Sequence, residues 1–424
     1  MIIPAIDLMA GQTVQLVGGR ETAIEAGDPR PLLERFRLAS PVALIDLDAA
    51  IGTGSNEALI RELLEMAPCR VGGGIRDAES ARRFLDAGAS QVILGTAATP
   101  EVLAELPRDR VMAALDSIDD DVVVKGWRER TGRRVTERMA ELRPLVGGFL
   151  VTFVEREGRL EGIDLDRVAQ VVEAAQGVPV TVAGGVSTLS ELAAIDRLGA
   201  DAQVGMAIYT GRMKLADAIV APLTSDRSDG LWPTVVTDEH GVALGLAWSN
   251  LESVRESVET LRGVYHSRRR GLWRKGATSG DHQELIGIDL DCDRDALRFR
   301  VRQHGRGFCH RGTRTCFGDA TGLDRLARTL ATRLNEAPRG SYTRRLLDDP
   351  ALLAAKLVEE AAELAAAETP DEVTSEAADL FFFALTALVR AGVPLADVET
   401  LLDRRALRLT RRAGDAKPAP RDDR

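Results

Sequence analysis

Gly72-Gly73-Gly74-Ile75 and Ala183-Gly184-Gly185-Val186 repeat one signal about 110 residues apart in a chain of 424. Nearly the same offset separates Ala5-Ile6-Asp7 from Ala114-Leu115-Asp116, and Leu94-Gly95-Thr96-Ala97 from Val204-Gly205-Met206-Ala207. Three pairs at one spacing mark an internal duplication rather than chance punctuation. Between them, short apolar runs alternate with helical stretches from Met1 to about Pro222. Strands are expected at Ile2–Ile6, Val42–Leu47, Val92–Leu94, Val111–Leu115, Gly148–Val151, Val178–Val182 and Gln203–Val204. Asn56–Met66 and Ala78–Ala87 read as helices. This is the rhythm of repeated βα units, and its length fits one closed eight-stranded (β/α)8 barrel better than an open sheet.

Barrels of this kind carry chemistry where the strands end. A barrel of two similar halves sets Asp7 and Asp116 on opposite sides of one mouth. Gly73, Gly74, Gly95 and Thr96 in the first half, with Gly184, Gly185 and Gly205 in the second, follow strands and precede helices. Backbone N–H groups approach an anion closely at such turns. Two matched sites imply a long substrate with a phosphate at each end.

Apolar residues make up 45% of the chain, with no run long enough to span a bilayer and no basic leader at Met1-Ile2-Ile3, so a cytoplasmic protein is expected. A net charge of −10 and only 4% aromatic residues argue against a nucleic-acid surface. Residues 223–229 form a polar linker.

Beyond the linker, Val235–Thr237 and Val242–Trp248 read as strands around a turn, with a helix near Leu251–Leu261. Three of the four cysteines then fall at Cys292, Cys309 and Cys316, too few for a disulfide framework. Soft thiolates suit zinc, and the oxygens of Asp291, Asp293 and Asp295 suit magnesium. Read as a strand, residues 291–295 turn the three aspartates to one face and Cys292 to the other. An ordinary acidic turn with reduced thiols is the alternative. His310 follows Cys309 and suits a metal or a proton, while His240, His282 and His304 read as ordinary polar residues.

From about Gly322 the period becomes helical, with Leu323, Leu326, Leu330 and Leu334 on one face. Glu360 and Glu363, then Glu376 and Asp379, are carboxylate pairs three residues apart on helices. Flanked by alanine, leucine and Phe381–Phe383, they read as inward magnesium ligands that help water attack a diphosphate. Residues 413–424 read as a disordered tail.

Three family resemblances attach to these motifs. Ser267-Arg268-Arg-Arg-Gly-Leu-Trp273-Arg-Lys275-Gly276, the Asp291–Asp295 run and Cys309-His310 with Cys316-Phe317 resemble phosphoribosyl-AMP cyclohydrolase of histidine biosynthesis, across residues 230–318. That implies a small α+β domain with zinc and magnesium, and phosphate contacts at Arg268, Trp273 and Lys275. Pro4-Ala-Ile-Asp7, Gly72-Gly73-Gly74-Ile-Arg76 and Lys125-Gly-Trp127 make residues 1–222 resemble phosphoribosylformimino-AICAR-phosphate (ProFAR) isomerase of the same pathway. The likeness implies an Amadori rearrangement with Asp7 as base and Asp116 as acid, Thr152 bonding substrate, and Arg76 and Trp127 in the site. Where that family reads T-[DE]-I-x-x-D-G-T, this chain has Thr152-Phe153-Val-Glu155-Arg-Glu157-Gly-Arg159, so one carboxylate has become Phe153 and the aspartate before the glycine has become Glu157. Residues 319–412, with Ser341-Tyr342-Thr343 and Lys356-Leu-Val-Glu359-Glu360, resemble the all-α phosphoribosyl-ATP pyrophosphatases, which implies a catalytic role for Lys356. The expected protein is a homodimer acting on phosphoribosyl nucleotides. Two alternatives stand beside it: a non-catalytic barrel on a bifunctional enzyme, and a barrel that also isomerises phosphoribosyl anthranilate.

Overall fold

The computed structural model describes residues 1–19, 21–318, 321–338 and 340–410; the expected tail at 413–424 lies outside them. The chain divides into two compact units, Met1–Thr224 with the described residues from Arg404 on, and Ser225–Asp403.

The first unit is a closed barrel of eight parallel strands: β1 (Ile2–Met9), β2 (Val42–Asp46), β3 (Cys69–Gly72), β4 (Gln91–Leu94), β5 (Val111–Ile118), β6 (Gly148–Phe153), β7 (Val180–Ala183) and β8 (Ala200–Val204). Each pairs with its sequence neighbour, and β8 returns to β1. Side chains alternate with a period of two, so Ile93, Met112, Leu150 and Ala183 pack together inside, with Ile45 and Ala114 against them. Below this layer Arg70 donates to the Thr181 hydroxyl at 2.9 Å and lies 3.8 Å from Asp201. Arg70 also explains why β3 escapes the sequence reading: it is four residues long with a cation in it.

The duplication extends beyond the motifs. A hairpin follows the first strand of each half, Gln12–Val17 with Glu21–Gly27 after β1, and Asp121–Val124 with Glu129–Arg134 after β5. Gly73 and Gly184 occupy equivalent places, at φ +91° and +90°. A Cβ on Gly73 would stand 2.3 Å from the Asp46 carbonyl oxygen, and one on Gly184 2.4 Å from that of Phe153. These glycines therefore let consecutive βα turns touch backbone to backbone. Chain from the far end also packs on this unit: Asp86 accepts from the amides of Leu409 and Thr410 at 2.7 and 2.8 Å, and Arg110 donates to the Leu407 carbonyl at 2.9 Å.

The second unit begins with a four-stranded sheet in the order Ala243–Ser249, Trp232–Thr237, Leu297–Gln303, Gln283–Leu290. Its central pair is parallel and the outer pairs antiparallel. Tyr265 is wholly buried among Trp273, Phe299 and Phe308, its hydroxyl 2.6 Å from Gln283 Oε1. Residues 291–295 are not a strand. They form the turn joining Gln283–Leu290 to Leu297–Gln303, where Asp291 Oδ1 accepts from the amides of Asp295 and Ala296 at 2.9 and 3.1 Å. Self-capping of this kind is why aspartate favours turns.

Among the described residues five helices follow: Gly322–Glu336, Tyr342–Asp348, Pro350–Ala366, Pro370–Ala391 and Leu395–Ala406. Of the leucine row on the first, only Leu330 is buried, and Leu323 and Leu334 face outward. His240, read from sequence as an ordinary polar residue, joins the sheet to this layer: Nδ1 lies 2.5 Å from Glu399 and Nε2 3.6 Å from Asp324. No single helix among the described residues is long and apolar enough to cross a membrane.

The glycine geometry sets a test. Gly184→Ala combines a positive φ with a backbone collision, so it should destabilise the barrel by at least about 1–3 kcal/mol. A thermal transition within a degree of wild type would contradict that packing.

Candidate active sites

In the barrel mouth, Asp7 near the end of β1 accepts from Gln15 Nε2 at 3.2 Å. Asp116 near the end of β5 accepts from the Trp127 indole N–H at 2.8 Å and from the Thr152 hydroxyl. Both aspartates are half-buried. Loss of water pushes the Asp7 carboxyl up to about 7 against the Gln15 hydrogen bond. Burial raises Asp116 too, opposed by Thr152 and Trp127.

Glu157 joins them. Sequence reasoning marked it only as a departure from a motif. It lies within electrostatic reach of both aspartates, and burial, then their two negative charges, raises it to about 7. Three such carboxyls cannot all ionise cheaply, so near neutral pH the group retains a proton. One mouth thereby offers a proton donor and a proton acceptor together.

The glycines divide by half. A small cavity is lined by Glu157, Gly184, Gly185, Gly205 and Met206. Gly205 sits where a Cβ would stand 2.3 Å from Gln15 Oε1. In the first half Gly73 and Gly74 press on Asp46 and Ala49, while Gly95 has open space beside it. Thr96 accepts from the Lys125 amide at 3.2 Å, and Arg76 donates to the Ala49 carbonyl at 3.2 Å.

In the second unit, Cys309 and Cys316 are hydrogen-bonded neighbours, whereas Cys292 lies exposed in the acidic turn. Among the described residues, no cluster of metal-ligating atoms contains Cys292 with the other two. The Arg311 amide and Thr313 hydroxyl lower the Cys309 thiol; burial and the neighbouring Cys309 raise Cys316. Lys275 is buried beneath this loop, donating to the carbonyls of Asp281 and Gly307 at 3.0 and 3.3 Å. Its ammonium therefore pins the cysteine loop. Burial lowers its pKa. Trp273 packs on Tyr265 and Phe308, Arg268 lies exposed 5.1 Å from the Trp248 ring, and His310 is exposed. The ligand oxygens of Asp291, Asp293 and Asp295 lie within 4.8 Å of one another, brought together by the turn.

A second acidic centre forms between helices Pro350–Ala366 and Pro370–Ala391. Glu360, Glu376 and Asp379 place oxygens within 4.8 Å, as do Glu359, Glu360 and Glu363. Glu360 is buried and pairs with Lys356 Nζ at 2.7 Å. Desolvation and the charges of Glu360 and Glu376 raise Glu363. Convergent hard oxygens of this kind fit a divalent cation.

The sequence matches the family "Histidine biosynthesis protein" over residues 1–214, phosphoribosyl-AMP cyclohydrolase over 245–318 and phosphoribosyl-ATP pyrophosphohydrolase over 323–406. A histidine biosynthesis trifunctional protein of Neurospora crassa is 42% identical over 341 residues, 79% of this chain and 36% of that protein. A histidine biosynthesis bifunctional protein of Schizosaccharomyces pombe is 54% identical over 208 residues, 49% of this chain and 50% of its own length. An imidazole-4-carboxamide isomerase of Natronomonas pharaonis is 42% identical over 231 residues, 51% of this chain and 96% of that protein. The chain thus spans between about a third and a half of these two fungal relatives.

The mouth carboxyls set a pH test. Glu157 ionises near 4.5 when unfolded and about 7 when folded. Between those values the folded barrel holds a proton that the unfolded chain has released, so this group's contribution to stability falls as pH rises. Glu157→Gln should therefore gain thermal stability relative to wild type from pH 5 to pH 8. A difference that stays constant across the window would refute the raised pKa.

Proposed function

This chain belongs to the histidine biosynthesis protein family, and we propose on that premise that it catalyses three reactions. The helical segment, residues 319–412, hydrolyses phosphoribosyl-ATP to phosphoribosyl-AMP and diphosphate. The domain at 230–318 opens the adenine ring of that product by hydrolysis. The barrel, 1–222, isomerises the resulting ProFAR from aldose to ketose. The observation that carries this reading is that each of three successive family matches in one chain overlaps a separate acid or thiol centre. Reaction order runs opposite to chain order.

In the barrel, Asp116 gives a proton to the ribose ring oxygen and Asp7 takes one from the neighbouring carbon. Thr152 and Trp127 hold Asp116 for that transfer, and the glycine turns with Arg76 receive the terminal phosphates. Cys309 and Cys316 of one copy, with Cys292 of a second, are the thiolates we assign to zinc. Magnesium is assigned to Asp291, Asp293 and Asp295, and to Glu360, Glu363, Glu376 and Asp379. When bound, zinc activates water for ring opening and magnesium offsets diphosphate charge. Lys275 keeps the cysteine loop in place, His310 carries a proton beside it, and Arg268 and Trp273 receive the nucleotide. Lys356 balances Glu359 and Glu360. A homodimer is supported by the separation of Cys292 from its partners, and by the exposure of Val358 and Phe381 at 72% and 50%. A non-catalytic barrel is the reading that Phe153 favours.

Purified protein given phosphoribosyl-ATP with zinc and magnesium should accumulate the ketose, separated from ProFAR by retention because their masses are equal. Arrest at ProFAR would decide for a scaffold barrel. Cys309→Ser should reduce ring opening by more than about a hundredfold while sparing diphosphate release. Asp7→Asn should slow only the last step, by about 10²–10⁴-fold. Ring opening that survives the first change would remove the zinc assignment, and normal isomerisation after the second would remove the base.

A further inference from the structure

The position where the barrel family carries a carboxylate holds Phe153 here, and the structure shows what surrounds it. Thr152 pairs in register with Asp116, and Phe153 with Ser117. Alternation along the strands sends the first pair into the mouth and the second outward, under the helix Leu165–Ala175. Phe153 and Ser117 are fully buried there, at 1% and 0% exposure.

Arg167 reaches them from the first turn of that helix, where the Asp164 carboxylate caps its amide at 3.2 Å. The guanidinium lies 4.4 Å from the centre of the Phe153 ring and is paired with Glu155, two residues further along. Its Nη2 donates to Ser117 Oγ at 3.3 Å, and the Ser117 hydroxyl donates to the Thr152 carbonyl at 3.4 Å. The Thr152 hydroxyl in turn bonds the Asp116 carboxylate. A path of contacts thus runs from a helix outside the barrel, between two strands and through Thr152 itself, from its carbonyl to its hydroxyl, to one of the two principal mouth carboxylates. The cation sits over an aromatic face with a carboxylate at its side, an arrangement favourable in itself.

We propose that Arg167 is a positioning residue for the isomerisation, holding Ser117 and Thr152 so that Asp116 stays aimed at its proton acceptor. In this chain Glu155 supplies the anion that fixes Arg167. The inference rests on the isomerase reading above. Arg167 itself lies behind the strands, away from the mouth.

The test compares kcat and KM for ProFAR turnover in Arg167→Met, Ser117→Ala, the double variant and Arg167→Lys. Misaiming a reacting group by an ångström costs about a hundredfold. Arg167→Met should therefore lower kcat by about ten- to a hundredfold with KM nearly unchanged. Because both residues act on one path, the double variant should be no slower than Arg167→Met, and Arg167→Lys should recover much of the rate. A helix-docking arginine with no such role would give unchanged kcat, or losses that multiply in the double variant; either result overturns the proposal. Should Arg167→Met not fold, Ser117→Ala decides alone, and normal kcat there is fatal. A wild-type chain that never turns over ProFAR overturns the isomerase reading and this role together. An active wild type with unaffected variants overturns the role only.

Discussion

Holding carboxylates partly out of water without letting them take up protons indiscriminately is the constraint on which both units depend. Removing an unpaired carboxylate from water is costly, and the molecule meets that cost in two ways. The barrel uses neutral donors: the Gln15 amide for Asp7, and the Trp127 indole and Thr152 hydroxyl for Asp116. Neutral donors only partly offset desolvation, so both carboxyls stay above their ordinary range, Asp7 at about 7. The helical segment uses a cation instead, with Lys356 directly on buried Glu360. The barrel thus relies on neutral donors and the helical segment on a charged one.

Closure of eight parallel strands makes the barrel's half of this possible. Duplicated halves put Asp7 and Asp116 near equivalent strand ends, and a hairpin after each of those strands supplies its donor, Gln15 in one half and Trp127 in the other. The symmetry is then broken. Gly205 is pressed against Gln15 while Gly95 faces open space, and only the second half carries Glu157.

Much of this was legible in the residues because it is periodic. Strand alternation, the offset between halves and the i, i+3 carboxylates of the helices are local patterns with fixed physical meaning. What escaped was set by tertiary contact. β3 is short and carries Arg70, whose charge is tolerated only because Thr181 and Asp201 meet it inside the barrel. The alternating aspartates at 291–295 satisfy a strand pattern and a turn pattern equally; the amides of Asp295 and Ala296 decide for the turn. His240 looked unremarkable because both its carboxylate partners are more than eighty residues away in sequence. Glu157 was visible as a changed letter, yet its place beside two aspartates needed the loop after β6.

The turn at 291–295 also bears on how complete each centre is within one chain. As a strand it would have fixed Cys292 against the sheet; as a turn it leaves Cys292 exposed and outside the hydrogen-bonded pair of Cys309 and Cys316, whose loop the buried Lys275 holds. Two adjacent thiols are half of a tetrahedral sulfur site. The barrel mouth, by contrast, has Asp7, Asp116 and the groups that donate to them from a single chain. Under the proposed homodimer, association therefore matters unequally: it finishes the thiol centre and covers the exposed face around Phe381, while the barrel asks nothing of a second copy.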